Sequence, residues 1–294
     1  MKVLLTGSSG RVGRAVYVRL ALEHAVIGLD RSPSSTVHFT GDIGDPGLLR
    51  RALAGVDAVV HTAALHAPHV GVLDDFEFRR INVDATRQLA LMAADAGARS
   101  FVFTSTTALY GHAAVPPSHA GWLDELLQPQ PRTIYHETKL EADALLEKLA
   151  SGSNLRVTAL RMSRCFPEPA PRMAICRLYR GVDARDVADA HALALLDDRS
   201  GFRRYVVSGA TPFRREDARR LLESAPEVIR ERAPRLAEAF NLRGWTLPAS
   251  IDRVCDPALA MSELGWRPRF GFEEVLKMLD DRSSEVLPPE RQQS

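Results

Sequence analysis

A glycine-rich segment at residues 6–13, with the sequence TGSSGRVG, constrains the fold of this chain more than any other feature. It follows the apolar run 3–5 and precedes a helical pattern, which is the context in which spaced glycines bind a dinucleotide. Gly7 permits a tight turn, Gly10 lets the backbone approach a pyrophosphate, and Gly13 lets helix and strand pack closely. The segment therefore predicts a strand, a turn and a helix whose N-terminus faces phosphate groups.

Short apolar runs alternate with longer helical patterns through the first two-thirds of the chain. Such alternation favours a parallel sheet with helices on both faces and right-handed crossovers. We expect strands at residues 3–5, 25–29, 37–39, 58–61, 101–104, 156–160 and 205–208, and helices at residues 14–22, 46–54, 84–96, 135–149 and 185–196. The predicted fold class is α/β, a Rossmann-type doubly wound parallel sheet.

The pattern changes after residue 161, where prolines become frequent. We predict a dinucleotide-binding Rossmann domain at residues 1–165, to which residues 182–208 return. A small, irregular C-terminal subdomain that binds the substrate is expected at residues 166–181 and 209–282, with short helices at 216–222 and 226–232. Residues 283–294 offer little to bury and are predicted to form a flexible tail.

The composition argues against several classes of partner. The formal net charge of +1 over 294 residues gives no electrostatic basis for binding nucleic acid or an anionic membrane surface. Cys165, Cys176 and Cys255 show neither zinc-ligand spacing nor an even disulfide count, which is typical of a reducing compartment. Since no leader sequence or long apolar run is present, we expect a cytoplasmic protein whose partner is a small-molecule substrate.

Asp30 ends the second predicted strand, where a carboxylate accepts hydrogen bonds from the adenosine ribose and repels a 2′-phosphate. This position favours NAD over NADP. Arg11 and Arg31 could each pair with an additional phosphate, so NADP remains an alternative.

Tyr135 and Lys139 lie four residues apart in the sequence YHETK, which places both side chains on one face of a helix. A nearby cation stabilises a phenolate, so the pair predicts an acid/base group that acts near neutral pH. Together with a bound dinucleotide, the pair indicates hydride transfer to or from a carbon that carries oxygen.

Further motifs follow in a consistent order: DI at residues 42–43, HTAA at 61–64, INV at 81–83, STTALYG at 105–111, LRMSR at 160–164 and VDARDVADAH at 182–191. With them, the chain resembles the extended short-chain dehydrogenase/reductase family, which includes nucleotide-sugar epimerases, dehydratases and related reductases. The resemblance covers residues 1–165 and reappears at residues 182–191. It implies that Thr106 is the catalytic hydroxyl that holds the substrate oxygen with Tyr135, with Ser105 and Thr107 as alternatives.

The resemblance also assigns roles around the cofactor. It implies that Asp42 and Ile43 border the adenine and that Asn82 steadies the central helix and the active-site strand. His61 is expected to have a structural role, and Lys139 to bond the nicotinamide ribose. The implied cofactor contacts are Gly7, Ser9, Gly10, Arg11, Val12, Gly13, Asp30, Arg31, Asp42, Ile43, Thr62, Ala63, Ala64, Asn82, Thr104, Tyr135 and Lys139.

The substrate is expected at the carboxyl ends of the strands, where the loops of such sheets form a crevice. Arg164 stands where the family has asparagine, and its guanidinium either binds anionic oxygens or lies on the surface. Only residues 165–181 separate it from the next motif, which weakens the case for a large nucleotide sugar. His66 and His69 lack a third ligand, so we expect no metal. Predicted substrate contacts are Leu65, His66, Thr106, Thr107, Trp122, Arg164 and Tyr179.

These features predict an NAD-dependent oxidoreductase that interconverts a secondary alcohol and a ketone or lactone on a small polar, sugar-like substrate. A sugar or nucleotide-sugar epimerase with tightly bound NAD is the first alternative. A dehydratase is less favoured, because Thr107 and Ala108 supply no acidic pair after Thr106. A dinucleotide-sensing regulator without turnover is the second alternative. Apolar residues within 84–96 and 135–149 are compatible with the homodimer that the resemblance implies.

Overall fold

The structure is a computed structural model that describes residues 1–289. The elements of the first part are β1 (Lys2–Thr6), α1 (Arg11–Leu20), β2 (Ala25–Asp30), β3 (Phe39–Thr40), α2 (Pro46–Ala52), β4 (Ala58–His61), α3 (Asp75–Arg79), α4 (Thr86–Asp95) and β5 (Ser100–Thr106). The second part contains β6 (Gly121–Leu123), α5 (Ile134–Ser151), β7 (Arg156–Met162), α6 (Ala170–Cys176), α7 (Ala184–Leu196), β8 (Phe202–Val207), α8 (Ala218–Arg232), α9 (Pro234–Leu242), β9 (Arg253–Cys255), α10 (Ala258–Glu263) and α11 (Phe272–Asp280).

Seven strands form one parallel sheet in the order β3-β2-β1-β4-β5-β7-β8. The order reverses between β1 and β4, which leaves a crevice at the carboxyl ends of these strands. α7 and β8 return to this sheet from the second half of the chain, where residues 182–208 were expected to do so. The predicted Rossmann-type doubly wound fold is confirmed.

Two apolar layers hold the helices against the sheet. Leu4 of β1 packs on one face with α2, α4 and α5, whereas its neighbours Val3 and Leu5 pack on the other face with α1 and α7. Successive residues of a strand point to opposite faces, so burial of both faces requires an almost continuous apolar strand. That requirement explains why the strands could be recognised as short apolar runs.

The C-terminal part has its own core, formed by α6, α8, α9 and α11 together with β9. A second, two-stranded parallel sheet joins β6 to β9. The sequence indicated neither of these strands, and α6, α9, α10 and α11 were also missed. The two short helices expected at 216–222 and 226–232 form the single element α8, which breaks at Ser224, where φ and ψ are −153° and 57°.

Residues 283–289 differ from the predicted flexible tail. Val286 is buried in the C-terminal core, and Leu287 exchanges two backbone hydrogen bonds with residues 168–170. Glu285 forms an ion pair with Arg11. These contacts are not visible in the sequence, because the partners lie far away along the chain. Residues 290–294 of the predicted tail lie outside the described residues.

Gly13 allows α1 to approach the turn after β1, because a Cβ atom there would lie 2.0 Å from the carbonyl oxygen of Gly7. Alanine normally stabilises a helix by about 1 kcal/mol relative to glycine. We expect Gly13→Ala instead to lower the free energy of unfolding by about 3 kcal/mol, since the helix must move away. Urea denaturation followed by circular dichroism measures this difference.

Gly152 at the end of α5 provides the control, because the nearest atom to its Cβ position is 3.8 Å away. Gly152→Ala should change the free energy of unfolding by less than about 0.5 kcal/mol. If Gly13→Ala unfolds at the same urea concentration as the parent chain, the close approach of α1 to β1 is incorrect.

Candidate active site

A cleft of about 600 Å³ opens at the carboxyl ends of the parallel strands. The turn after β1 and the end of β2 form one end of it, and the loops that follow β5 and β7 line its centre. β6 and β9 of the C-terminal part close the other end, which is named the substrate end because the substrate was predicted to bind there. The cleft therefore lies where the sheet order reverses, at the position where this fold binds ligands.

The glycine turn presents its backbone to the cleft. Gly7, Gly10 and Gly13 all line it, and a Cβ atom on Gly10 would meet nothing nearer than the Gly7 oxygen at 3.4 Å. The space beside Gly10 is thus open, and the N-terminus of α1 begins one residue later. This arrangement fits a pyrophosphate, whose charge interacts favourably with a helix N-terminus.

Asp30 at the end of β2 faces the same part of the cleft. One carboxylate oxygen accepts the backbone N–H of Ser9 at 3.0 Å, and the other accepts that of Ser32 at 2.9 Å. Each oxygen retains a lone pair for a ribose hydroxyl. Arg11 and Arg31 also line this end, so cations that could accept a 2′-phosphate are present as well.

Asp42 and Ile43 form the adjoining wall. Asp42 pairs with Arg80 at 2.8 Å and accepts the backbone N–H of Gly44 at 2.7 Å; its pKa is lowered, chiefly by the hydrogen bond from Arg80. Ile43 is buried and lines the cleft. The remaining predicted cofactor contacts along this surface also line the cleft: Ser9, Val12, Thr62, Ala63 and Ala64.

The three predicted catalytic residues meet at the centre of the cleft. Thr106 ends β5, while Tyr135 and Lys139 lie one turn apart on α5, and all three line the cleft. The Lys139 ammonium donates a hydrogen bond to the carbonyl oxygen of Thr104 at 2.7 Å and lies 4.0 Å from the centre of the Phe103 ring. The end of β5 therefore fixes the position of Lys139.

Burial raises the pKa of the Tyr135 phenol, and a hydrogen bond with the Thr106 hydroxyl opposes that rise. Ser105 is 2% exposed, and its hydroxyl oxygen has no hydrogen-bond partner among residues 1–289. The Thr107 hydroxyl points elsewhere, donating to the Met162 carbonyl oxygen at 3.4 Å. Of the three alternatives, the geometry favours Thr106.

Burial governs the protonation of Tyr135 and Lys139. It raises the pKa of Tyr135, against the opposing effect of Thr106, and it lowers the pKa of Lys139 to about 7, against the opposing charge of Asp143. In the protein by itself, Tyr135 therefore keeps its proton at neutral pH. The expected lowering of the tyrosine pKa by Lys139 is not observed, because desolvation dominates at both groups.

Asn82 and His61, both named in the predictions, hold segments next to the cleft in place. Asn82 does not line it; its side chain exchanges hydrogen bonds with the backbone of Leu65 at 2.8 and 2.9 Å and donates to Thr138 at 3.1 Å. It thus joins the loop after β4 to α5. His61 lies between the hydroxyls of Thr6 and Thr86, and burial lowers its pKa to about 3, so it is neutral.

The carbonyl oxygen and the hydroxyl of Thr104 have different hydrogen-bond partners. Its carbonyl oxygen accepts from Lys139, whereas its hydroxyl bonds the buried His191 ring at 2.7 Å. Burial lowers the pKa of His191 to about 4, so this ring is neutral too. The side chain of Thr104 is therefore engaged away from the catalytic groups.

The predicted substrate residues fall into two groups. Leu65, His66 and Thr107 line the cleft, as does Arg164. Arg164, however, forms a two-pronged ion pair with the buried Glu168 at 2.6 and 2.8 Å, so its charge is already balanced.

Trp122 and Tyr179 do not line the cleft. The Trp122 indole donates to Asp256 at 2.8 Å, and Tyr179 is 7% exposed beneath the guanidinium of Arg180. Both side chains therefore support the substrate end of the cleft from outside it.

The sequence did not indicate several residues that close the substrate end. They come from the loop after β7 and from the two-stranded sheet, neither of which carries a recognisable motif. These cleft-lining residues are Leu123, Met162, Ser163, Cys165, Phe166, Arg180, Arg253 and Cys255. The pairing of β6 with β9 was the missing information, since it brings Cys255 beside Thr107.

Within residues 1–289, no group of three or more His, Cys, Asp or Glu side chains is arranged to bind a metal ion. Over the same residues, every helix is too short or too polar to cross a bilayer.

Comparison with known proteins identifies the family. Residues 3–181 match the model of the NAD dependent epimerase/dehydratase family. The UDP-glucose 4-epimerase of Corynebacterium glutamicum is 31% identical, with 91% of each chain covered. The chain belongs to this family, and the resemblance to extended short-chain dehydrogenases/reductases is confirmed. It is an enzyme of this NAD-dependent class.

Two further comparisons cover different fractions of the chain. The NAD-dependent glucose-6-phosphate dehydrogenase of Haloferax volcanii is 28% identical over 191 residues, which span 58% of this chain and 71% of that protein. A short-chain dehydrogenase/reductase superfamily protein from Agrobacterium tumefaciens, crystallised with NAD, has the same fold, with a TM-score of 0.71. It is 21% identical, and the match covers 96% of this chain and 100% of that one.

Lys139 should make stability depend on pH. Its pKa is about 7 in the folded protein against 10.5 unfolded, so between these values the unfolded chain binds more protons and stability rises with pH. Lys139→Met removes this dependence. We expect the variant to gain stability over the parent chain at pH 6, with a gain that shrinks as the pH rises through 7 towards 10. Urea denaturation at several pH values measures the difference.

Lys148 is exposed on the same helix and provides the control. Lys148→Met should show a stability difference that is independent of pH over this range. A pH-independent effect of Lys139→Met would mean that Lys139 is not desolvated.

Proposed function

We propose that this chain is an NAD-dependent epimerase of a sugar or sugar nucleotide that uses Thr106, Tyr135 and Lys139. The observation that carries the proposal is that these side chains share one cleft with the glycine turn. The family match and the identity with the C. glutamicum UDP-glucose 4-epimerase support it. The NAD in the A. tumefaciens structure supports NAD as the cofactor.

The cofactor would extend from the glycine turn to the centre of the cleft. Its pyrophosphate would lie at Gly10 and the N-terminus of α1, and Asp30 would accept the adenosine ribose hydroxyls. Asp42 and Ile43 would border the adenine. At the centre of the cleft, Lys139 of α5, held by its hydrogen bond to the end of β5, would bond the nicotinamide ribose.

Tyr135 acts as the acid/base group in this proposal. As a phenolate, whose formation the positive charges of Lys139 and of a bound nicotinamide would favour, it takes the proton from a secondary hydroxyl of the sugar and later returns it to the same oxygen. Thr106 holds that oxygen by a hydrogen bond, and the charge of Lys139 favours the phenolate once Tyr135 has lost its proton. NAD supplies the reversible hydride transfer for which no side chain is suited. An epimerase then presents the opposite face of the ketone to the same cofactor.

A dehydrogenase that releases NADH is the second candidate. The short segment between Arg164 and the next motif favours a substrate smaller than a nucleotide sugar. The NAD-dependent glucose-6-phosphate dehydrogenase of H. volcanii, whose similarity covers 58% of this chain, acts on such a substrate according to its name. The reacting groups are the same in both candidates, and only the fate of the hydride differs.

We further propose that two copies of the chain associate through α4 and α5. Leu91 on α4 is 46% exposed, and Leu145 on α5 is partly buried. Contact with a second copy would remove the exposed apolar surface of these leucines from water.

Tyr135→Phe tests the proposed chemistry. Removal of the phenolic proton carrier should lower turnover at least 100-fold, in line with the contribution of a positioned acid/base group. The affinity for NAD should remain within about threefold, because the ring still packs in its place. Interconversion of UDP-glucose and UDP-galactose by NMR, NADH absorbance with glucose 6-phosphate, and NAD titration provide the measurements.

Tyr17→Phe is the control, since Tyr17 stacks on His38 outside the cleft. It should keep full turnover. Unchanged turnover in Tyr135→Phe would refute this acid/base role, and a protein that only senses the dinucleotide would lose no function in either variant.

A further inference from the structure

Arg180 is the cleft arginine whose charge is left unbalanced at the substrate end. It is partly buried, and no carboxylate lies within 4.0 Å of its guanidinium among residues 1–289. Its Nε atom is buried without a hydrogen-bond partner in the same part of the chain. The Tyr179 ring lies 5.1 Å from the guanidinium carbon and supports it from one side. A buried donor of this kind costs free energy unless a ligand satisfies it.

The neighbouring arginines are neutralised by this chain's own carboxylates. Arg164 is paired with Glu168, and Arg253 is paired with Asp252 at 2.6 Å. Glu168 also lies 4.0 Å from Arg172, and Asp252 acts on Arg180 only from beyond ion-pair distance, so these two carboxylates leave positive charge at the substrate end. The two cysteines there add no negative charge, because burial raises the pKa of the Cys165 and Cys255 thiols, that of Cys255 to about 12.

A short chain of contacts connects Arg180 to the reacting centre. The Thr107 hydroxyl lies close enough to the Cys255 thiol to lower its pKa. The backbone N–H of Cys255 donates to the carbonyl oxygen of Tyr179 at 2.6 Å, and Arg180 is the next residue. Arg180, Thr106 and Tyr135 also line the same cleft, so a ligand in that cleft is accessible to all three.

We propose that Arg180 binds a phosphate ester or carboxylate group of a sugar whose secondary hydroxyl lies at Thr106 and Tyr135. The proposal rests on the proposed function of that site and assigns its substrate class: a sugar with one anionic group and no nucleotide base. A guanidinium matches both anions, because it donates two parallel hydrogen bonds to adjacent oxygens.

The backbone of the segment between β7 and α7 supports a substrate that lacks a nucleotide base. The segment between β7 and α7 is fixed at both ends, since Arg164 donates to the Arg180 oxygen at 2.8 Å and Val182 donates to the Arg164 oxygen at 2.9 Å. Its middle pairs with Leu287 of the C-terminal segment. Cys165, Phe166 and Arg180 of this segment line the end of the cleft, whose volume of about 600 Å³ must hold both the dinucleotide and the substrate.

The test measures the binding of four probes to the NAD-loaded protein by calorimetry: glucose 6-phosphate, glucuronate, glucose and UDP-glucose. We expect one of the two simple anions to bind at least tenfold more tightly than glucose and UDP-glucose, and the better one distinguishes phosphate from carboxylate recognition. Arg180→Met should weaken that probe at least tenfold, as expected for a charge-assisted hydrogen bond. Arg180→Lys should recover part of the loss.

Arg235→Met is the matched control, because it removes one positive charge from the same subdomain at a side chain that is 79% exposed and pairs with Glu273. It should leave all four affinities unchanged. Equal binding of glucose and the anions, or no loss in Arg180→Met, would overturn the proposal. Tighter binding of UDP-glucose would overturn the assignment of a substrate without a base.

Anion binding at Arg180 and acid/base chemistry at Tyr135 can be tested separately. Tyr135→Phe should retain the affinity for the anionic probe while losing turnover. If the anion binds through Arg180 but Tyr135→Phe keeps full turnover, the anion site stands and the proposed chemistry fails. If Tyr135→Phe abolishes turnover and Arg180→Met has no effect on binding, the chemistry stands and the anion site fails.

Discussion

The contact between the start of α1 and the turn after β1 determines the geometry of the rest of the site. No side chain separates Gly13 from the Gly7 carbonyl oxygen, so the N-terminus of α1 lies directly over the end of β1. Parallel strands end at one edge of a sheet, and the same edge therefore carries Thr106 at the end of β5. The proposed phosphate site and the proposed catalytic residues thus lie at one edge of the same sheet.

The features that the sequence predicted are those that depend on local spacing. Tyr135 and Lys139 share a helix face because they are four residues apart, and the strands are recognisable because both of their faces are buried. The seven-stranded parallel sheet and the family follow from these patterns together with the glycine turn. Asp30 was placed by the same reasoning, since it ends a strand, whereas Asp42 and Thr106 were placed by the resemblance to the family; all three line the cleft.

The features that the sequence did not predict depend on contacts between distant residues. The pairing of β6 with β9 joins Gly121 to Arg253, and it creates the substrate end of the cleft. Whether Arg164 is free to bind an anion is decided by Glu168, and the unbalanced charge of Arg180 becomes visible only when its neighbours are known. The order of residues 283–289 likewise depends on the core that buries Val286.

In the proposed reaction, hydride leaves the substrate and returns to it on a cofactor that stays in this cleft. The most direct measurement is to denature the purified protein and to quantify the nicotinamide dinucleotide in the supernatant by chromatography. The epimerase account predicts close to one NAD per chain. A protein that is purified without NAD, binds added NAD reversibly and releases NADH with a sugar would contradict that account and would identify a dehydrogenase.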